Sequence, residues 1–149
     1  MNASIDNASA ERFILLIEDT SEHVRLIETI LKDSPVRNRI EAVNELEAMN
    51  FLHLRGIYAE ATRPDLILLS LSLRDKNGST ILAEIKADPH LKRIPIIVLS
   101  QSESADDIAN TYALQGNAYV LKSSELDRLI EIIQRIEAFW LRIVTLPLG

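Results

Sequence analysis

Phe13-Ile14-Leu15-Leu16-Ile17-Glu18-Asp19 is a run of five apolar side chains that stops on two carboxylates. Leu66-Ile67-Leu68-Leu69-Ser70 and Ile96-Ile97-Val98-Leu99-Ser100 repeat the arrangement with a hydroxyl at the end. Apolar residues at every position, rather than at every second one, mark strands covered on both faces. That is the pattern of a parallel sheet held between two layers of helices. Weaker runs at Val36 to Val43 and at Ala118-Tyr119-Val120-Leu121 add two more strands.

Helical spacing fills the gaps. Val24, Ile27 and Leu31 share a stripe, with Leu26 and Ile30 beside it. Leu46, Met49 and Leu52 form another, followed by Ile81, Leu82 and Ile85, then Ala105, Ile108, Ala109 and Tyr112. Ser104 with Asp107 and Ser124 with Asp127 have the spacing of capping boxes. Gly56 and Gly116 sit where left-handed C-terminal caps are expected, and Pro64, Pro89 and Pro95 punctuate the loops. Strand and helix thus alternate five times. The spacing predicts one doubly wound α/β domain with right-handed crossovers. It covers residues 12–143 with a long fifth helix, between an N-terminal tail at 1–11 and a C-terminal tail at 144–149.

Composition narrows the function classes. The 149 residues are 47% hydrophobic and 26% charged, which excludes disordered and low-complexity chains. The absence of cysteine excludes disulfides, thiolate metal sites and thiol nucleophiles. Sixteen basic against 22 acidic residues give a net charge of -6, the wrong sign for nucleic acid. Arg37-Asn38-Arg39 and Lys92-Arg93 are isolated basic spots. No apolar run approaches the roughly 18 residues of a membrane span, and Met1 to Glu11 lack a signal-peptide layout. The expectation is a cytoplasmic protein with neither nucleic acid nor membrane as partner.

If the strand order is 2-1-3-4-5, the ligand crevice lies at the carboxyl ends of strands 1 and 3, where the order reverses. Glu18 and Asp19 end strand 1; Ser70 and Ser72 follow strand 3. Ser100 ends strand 4 and Lys122 follows strand 5. Two carboxylates, hydroxyls and one ammonium are expected to meet there. Each residue alone also suits a helix cap or a loop, so the coincidence at four strand ends carries the signal.

These residues resemble the receiver domain of two-component response regulators. The resemblance rests on Ile14 to Asp19, Pro64 to Leu71, Lys76-Asn77-Gly78, Ile94 to Ser100 and Tyr119 to Lys122. Leu82 to Lys86, Leu91 to Pro95, Phe139-Trp140-Leu141 and Leu146-Pro147 are similar to the single-domain regulators that partner cyanobacterial phytochromes. The resemblance implies a flavodoxin-like or CheY-like (βα)5 sheet and a protein that is not an enzyme. It implies that Glu18, Asp19 and the backbone carbonyl of Ser72 face a metal, that Ser100 and Lys122 contact phosphoryl oxygens, and that Tyr119 is the switch aromatic. Ser70 then stands at the phosphoacceptor position, where the family carries Asp.

That substitution decides the expected function. A carboxylate is already an anion and forms a high-energy acyl phosphate; a serine hydroxyl needs a positioned general base. His23, His53 and His90 fall in helices or their loops, so no histidine is expected nearby. One metal-facing carboxylate is also lost, so no cofactor is required and Mg2+ is expected to bind weakly. Ser123 and Arg74 replace prolines common in the family, and Asp75 reads as a solvated loop carboxylate rather than a substitute acceptor. The expectation is a degenerate receiver acting by dimerisation or by docking on a phytochrome-type histidine kinase or another regulator. The alternative is a receiver still phosphorylated at a substitute residue. A flavin or nucleotide enzyme is disfavoured, because the loop Glu18 to Glu22 is acidic and repels phosphate.

The last helix carries two apolar stripes. Leu126, Ile130, Ile133 and Trp140 form one; Leu129, Ile132, Ile136, Phe139 and Ile143 form a seam of alternating three- and four-residue steps. Leu129, Ile132, Ile136, Phe139, Trp140 and Ile143 are therefore expected to form a two-fold interface through the fourth and fifth helices.

Overall fold

In the computed structural model, residues 11–73 and 77–147 are described; expectations placed on residues 1–10, Arg74, Asp75, Lys76 and residues 148–149 fall outside them. The strands are β1 (Arg12–Ile17), β2 (Asn38–Val43), β3 (Leu66–Ser70), β4 (Ile96–Ser100) and β5 (Ala118–Leu121). They form one parallel sheet in the order β2-β1-β3-β4-β5. The helices are α1 (Ser21–Lys32), α2 (Ala48–Leu52), α3 (Gly78–Ala87), α4 (Ala105–Ala113) and α5 (Leu126–Ile136). The architecture is the expected flavodoxin-like, CheY-like one.

Side chains along a strand alternate between faces, so a continuous apolar strand feeds two cores. Phe13, Leu15, Ile17, Ile67, Leu69, Ile96 and Val98 pack with Phe51, Ile81 and Ile85 on one side. Ile14, Leu16, Leu66, Leu68, Ile97 and Leu99 pack with Ile27, Leu31, Leu129 and Ile133 on the other. Each fully buried Leu or Ile contributes about 1.5–3 kcal/mol, which fixes β1, β3 and β4 as a rigid platform for their polar ends.

Several boundaries differ from the sequence reading. β2 starts at Asn38 rather than Val36, because Val36 donates its amide to the Ser34 hydroxyl at 3.1 Å and is held in a turn. Leu46 precedes α2 and is 62% exposed; the Asn44 side chain accepts the amides of Leu46 and Glu47 at 3.0 Å, which makes a turn there. Ser104 caps α4 by accepting from the Asp107 amide at 3.4 Å, while the Asp107 carboxylate takes the Ser102 hydroxyl at 2.6 Å. Ser124 does not cap α5. Glu125 holds that position, and its amide donates to the Ser123 hydroxyl at 3.1 Å. Leu54 (φ 57) and Gln115 (φ 71) take the left-handed conformation just ahead of the two expected glycines, and Gly56 (φ 56) takes it as expected. Gly116 is required by packing instead, since a Cβ there falls 2.8 Å from Thr111 Cγ2.

After α5 the chain continues as a π-helical turn, Glu137–Leu141, a form that recurs at functional sites. Glu137 is buried there. It accepts from Arg142 Nε and Nη2 and from the Ser34 hydroxyl, each at 2.7 Å, tying the extension to the end of α1. The Arg142 bond, helped by Ser34, holds the Glu137 carboxyl below its ordinary value of 4.5 against the opposing effect of burial. A depressed folded-state value contributes stability above the ordinary value, and that stability is lost as pH falls through the depressed one. Glu137→Gln is expected to lower the urea midpoint at neutral pH, with the difference from wild type shrinking below about pH 4. Leu146, in the expected tail, is also buried against this core.

Candidate functional site

The carboxyl ends of β1, β3, β4 and β5 enclose a cavity of about 180 Å³. Glu18, Ser70, Ser72, Ser100 and Lys122 line it, as the sequence reading placed them, together with Thr20, His23 and Gln101. Glu18, Ser70 and Ser100 are buried because each ends a fully covered strand. Gly78 closes the β3 side: its amide donates to the Leu71 carbonyl at 3.0 Å, and a Cβ on it falls 2.5 Å from the Ser70 carbonyl oxygen. No side chain fits between α3 and that strand end. A larger surface cavity, about 470 Å³, lies by the opposite ends of β3 and β4 among exposed Arg63, His90 and Arg93. It is remote from the strand ends where ligands of such sheets bind.

The dominant contact is Lys122 Nζ donating to Glu18 Oε1 at 2.5 Å, with both side chains buried. The other Glu18 oxygen accepts the amides of Asp19 at 3.1 Å and Thr20 at 3.3 Å. The ammonium therefore pairs with Glu18, the first of the two adjacent carboxylates. Of the acidic pair, Glu18 lines the cavity and Asp19 does not. Ser100 Oγ accepts the Ser102 amide at 3.0 Å, which shapes the loop after β4. Tyr119 donates its hydroxyl to the Ser102 carbonyl at 2.8 Å and packs on the core, so the aromatic is tied to that same loop.

One expectation is corrected. His23 is not remote: it sits in the first turn of α1, lines the cavity, and its Nδ1 lies 3.7 Å from Glu18 Oε1. That Nδ1 is buried and has no hydrogen-bond partner. A helix separated from a strand end by only three residues lays its first turn over that end, and this signal was available in the sequence.

The side chains that line the cavity do not fit a divalent ion as they stand. Mg2+ takes near-octahedral oxygen ligands. Glu18 spends both oxygens on Lys122 and two amides, and Ser70 offers no carboxylate. Among the described residues no group of three His, Asp or Glu is placed to hold a metal.

The sequence model of the response regulator receiver domain matches residues 14–134. The chain belongs to the response regulator receiver family. Response regulator Rcp1 of Synechocystis sp. (strain ATCC 27184 / PCC 6803 / Kazusa) is 43% identical over 143 residues, 95% of this chain and 97% of that protein. The crystal structure of the Mn2+-bound form of Rcp1 superposes on this receiver with a TM-score of 0.89 at 44% identity, covering 92% of this chain and 99% of that one. The phosphorylated cyanobacterial phytochrome response regulator RcpA gives 0.89 at 48% identity, covering 93% of this receiver and all of that chain (100%).

The expected interface residues of this receiver divide sharply. Leu129 and Ile136 are buried in the core beneath α5 and are unavailable to a partner. Phe139 and Ile143 are 51% and 70% exposed, with Ile132 and Trp140 half-buried beside them. The Phe139 and Trp140 rings meet edge to face, centroids 5.9 Å apart. Among the described residues no helix is long and apolar enough to cross a membrane.

Proposed function

We propose that this receiver serves a phytochrome-type two-component pathway as a pseudo-receiver. It signals by pairing with a second copy, or by docking on a histidine kinase or another regulator, without forming an acyl phosphate. The pathway assignment is supported by the similarity to Rcp1 and RcpA over nearly the whole chain. The single observation that carries the rest is Ser70. A buried alcohol ends β3, facing the cavity that Ser100 and Lys122 also line, while Lys122 is committed to Glu18. Phosphoryl transfer to that alcohol needs a base, and the product ester lacks the labile acyl bond.

Pairing would use the exposed strip of Phe139 and Ile143 with Ile132 and Trp140 at its edge, and Leu121 and Leu126 nearby in sequence. Aromatic anchors dominate such contacts. Phe139→Ser with Ile143→Ser is expected to weaken self-association by about tenfold or more in sedimentation equilibrium. The wild-type distribution should be unchanged by a small phosphodonor with Mg2+. A shift of that distribution on phosphodonor treatment would count against the reading.

The second reading is covalent modification at a substitute residue. RcpA was solved phosphorylated, and His23 places an imidazole in the same cavity as Ser70. Proteolysis and peptide mapping of donor-treated protein separate the two readings.

A further inference from the structure

We infer that Lys122 is the resident cation of this pocket, occupying by charge the place that receiver resemblance gives to a divalent metal, so that the pocket is assembled without one. The inference rests on the reading that Ser70 is no phosphoryl acceptor, but it concerns the cation alone. Three observations carry it. Lys122 Nζ lies 2.5 Å from Glu18 Oε1, in a pair whose side chains are 6% and 1% exposed. Glu18 Oε2 is already satisfied by two backbone amides, so a metal would have to displace the ammonium to obtain an oxygen of Glu18. The acceptor carboxylate that would otherwise compete for the lysine is absent, because Ser70 ends β3.

A buried carboxylate stripped of its partner is strongly destabilised and recruits whatever cation can reach it. The cavity is wide enough for a hydrated ion to approach, and His23 Nδ1, buried and without a partner, sits 3.7 Å from Glu18 Oε1. Removing the ammonium therefore leaves an oxygen and a nitrogen donor side by side. Imidazole suits transition metals better than Mg2+, which favours oxygen. Lys122 thus suppresses a latent metal site of mixed O and N character.

The test uses Mn2+ and electron paramagnetic resonance on the full chain. With wild-type protein the spectrum should remain that of the free aqueous ion. Lys122→Met should bind Mn2+ more than about tenfold tighter than wild type. Glu18→Gln combined with Lys122→Met should abolish that gain, and His23→Ala combined with Lys122→Met should reduce it. Wild-type protein whose spectrum shows bound Mn2+ overturns the inference, and this arm needs no variant to fold. A well-folded Lys122→Met, by circular dichroism, that binds no Mn2+ overturns it too. Mn2+ binding by a wild-type protein that still takes no phosphoryl group would defeat this inference and leave the proposed function standing.

Discussion

Lys122→Met is expected to cost about 3–5 kcal/mol of unfolding free energy, read from urea denaturation at neutral pH. The mutation keeps most of the side-chain stem, so packing changes little; what it removes is the counter-charge of a carboxylate that is 1% exposed. The amides of Asp19 and Thr20 and the neighbouring His23 remain near Glu18. Water reaching the cavity also relieves part of the penalty, which places the result toward the lower end of the range. Glu18→Gln with Lys122→Met removes both charges and should recover most of the loss, because a neutral amide can still accept the two backbone donors. A single-variant loss under about 1 kcal/mol would mean that the pair behaves like an exposed one.

Much of this was legible in the sequence, for physical reasons that also explain the misses. A strand buried on both faces cannot afford a polar side chain until it leaves the sheet. The first polar residue after each apolar run therefore marks a strand end, and the cavity residues Glu18, Ser70 and Ser100 follow directly. What the pattern cannot give is rotamer and pairing. Whether Lys122 reaches Glu18 or Asp19 depends on which of two adjacent residues turns inward, and composition is blind to that. The α5 seam shows a different limit. Steps of three and four residues describe a core stripe and a partner-facing stripe equally well. Leu129, Ile133 and Ile136 take the core side, while Leu126 at the start of α5 and Phe139 beyond its end are exposed. Glu137 was missed because a lone acidic residue on a helix usually faces water. Its burial depends on Ser34, 103 positions away in the chain.

The second large effect concerns phosphoryl chemistry itself. Ser70→Asp should restore an acceptor at the end of β3 and give Lys122 a second carboxylate to contact. Its carboxylate is already anionic at neutral pH, whereas the Ser70 alcohol must lose a proton to attack. The effect should be close to all-or-none.

Intact-mass spectrometry after acetyl phosphate and Mg2+ tests this most directly, with both proteins treated side by side. A gain of about 80 Da is expected on Ser70→Asp, the mass of one added phosphoryl group, and none on the wild type. A stoichiometric gain of that size on the wild-type chain, lost again on standing as an acyl phosphate would be, would contradict it.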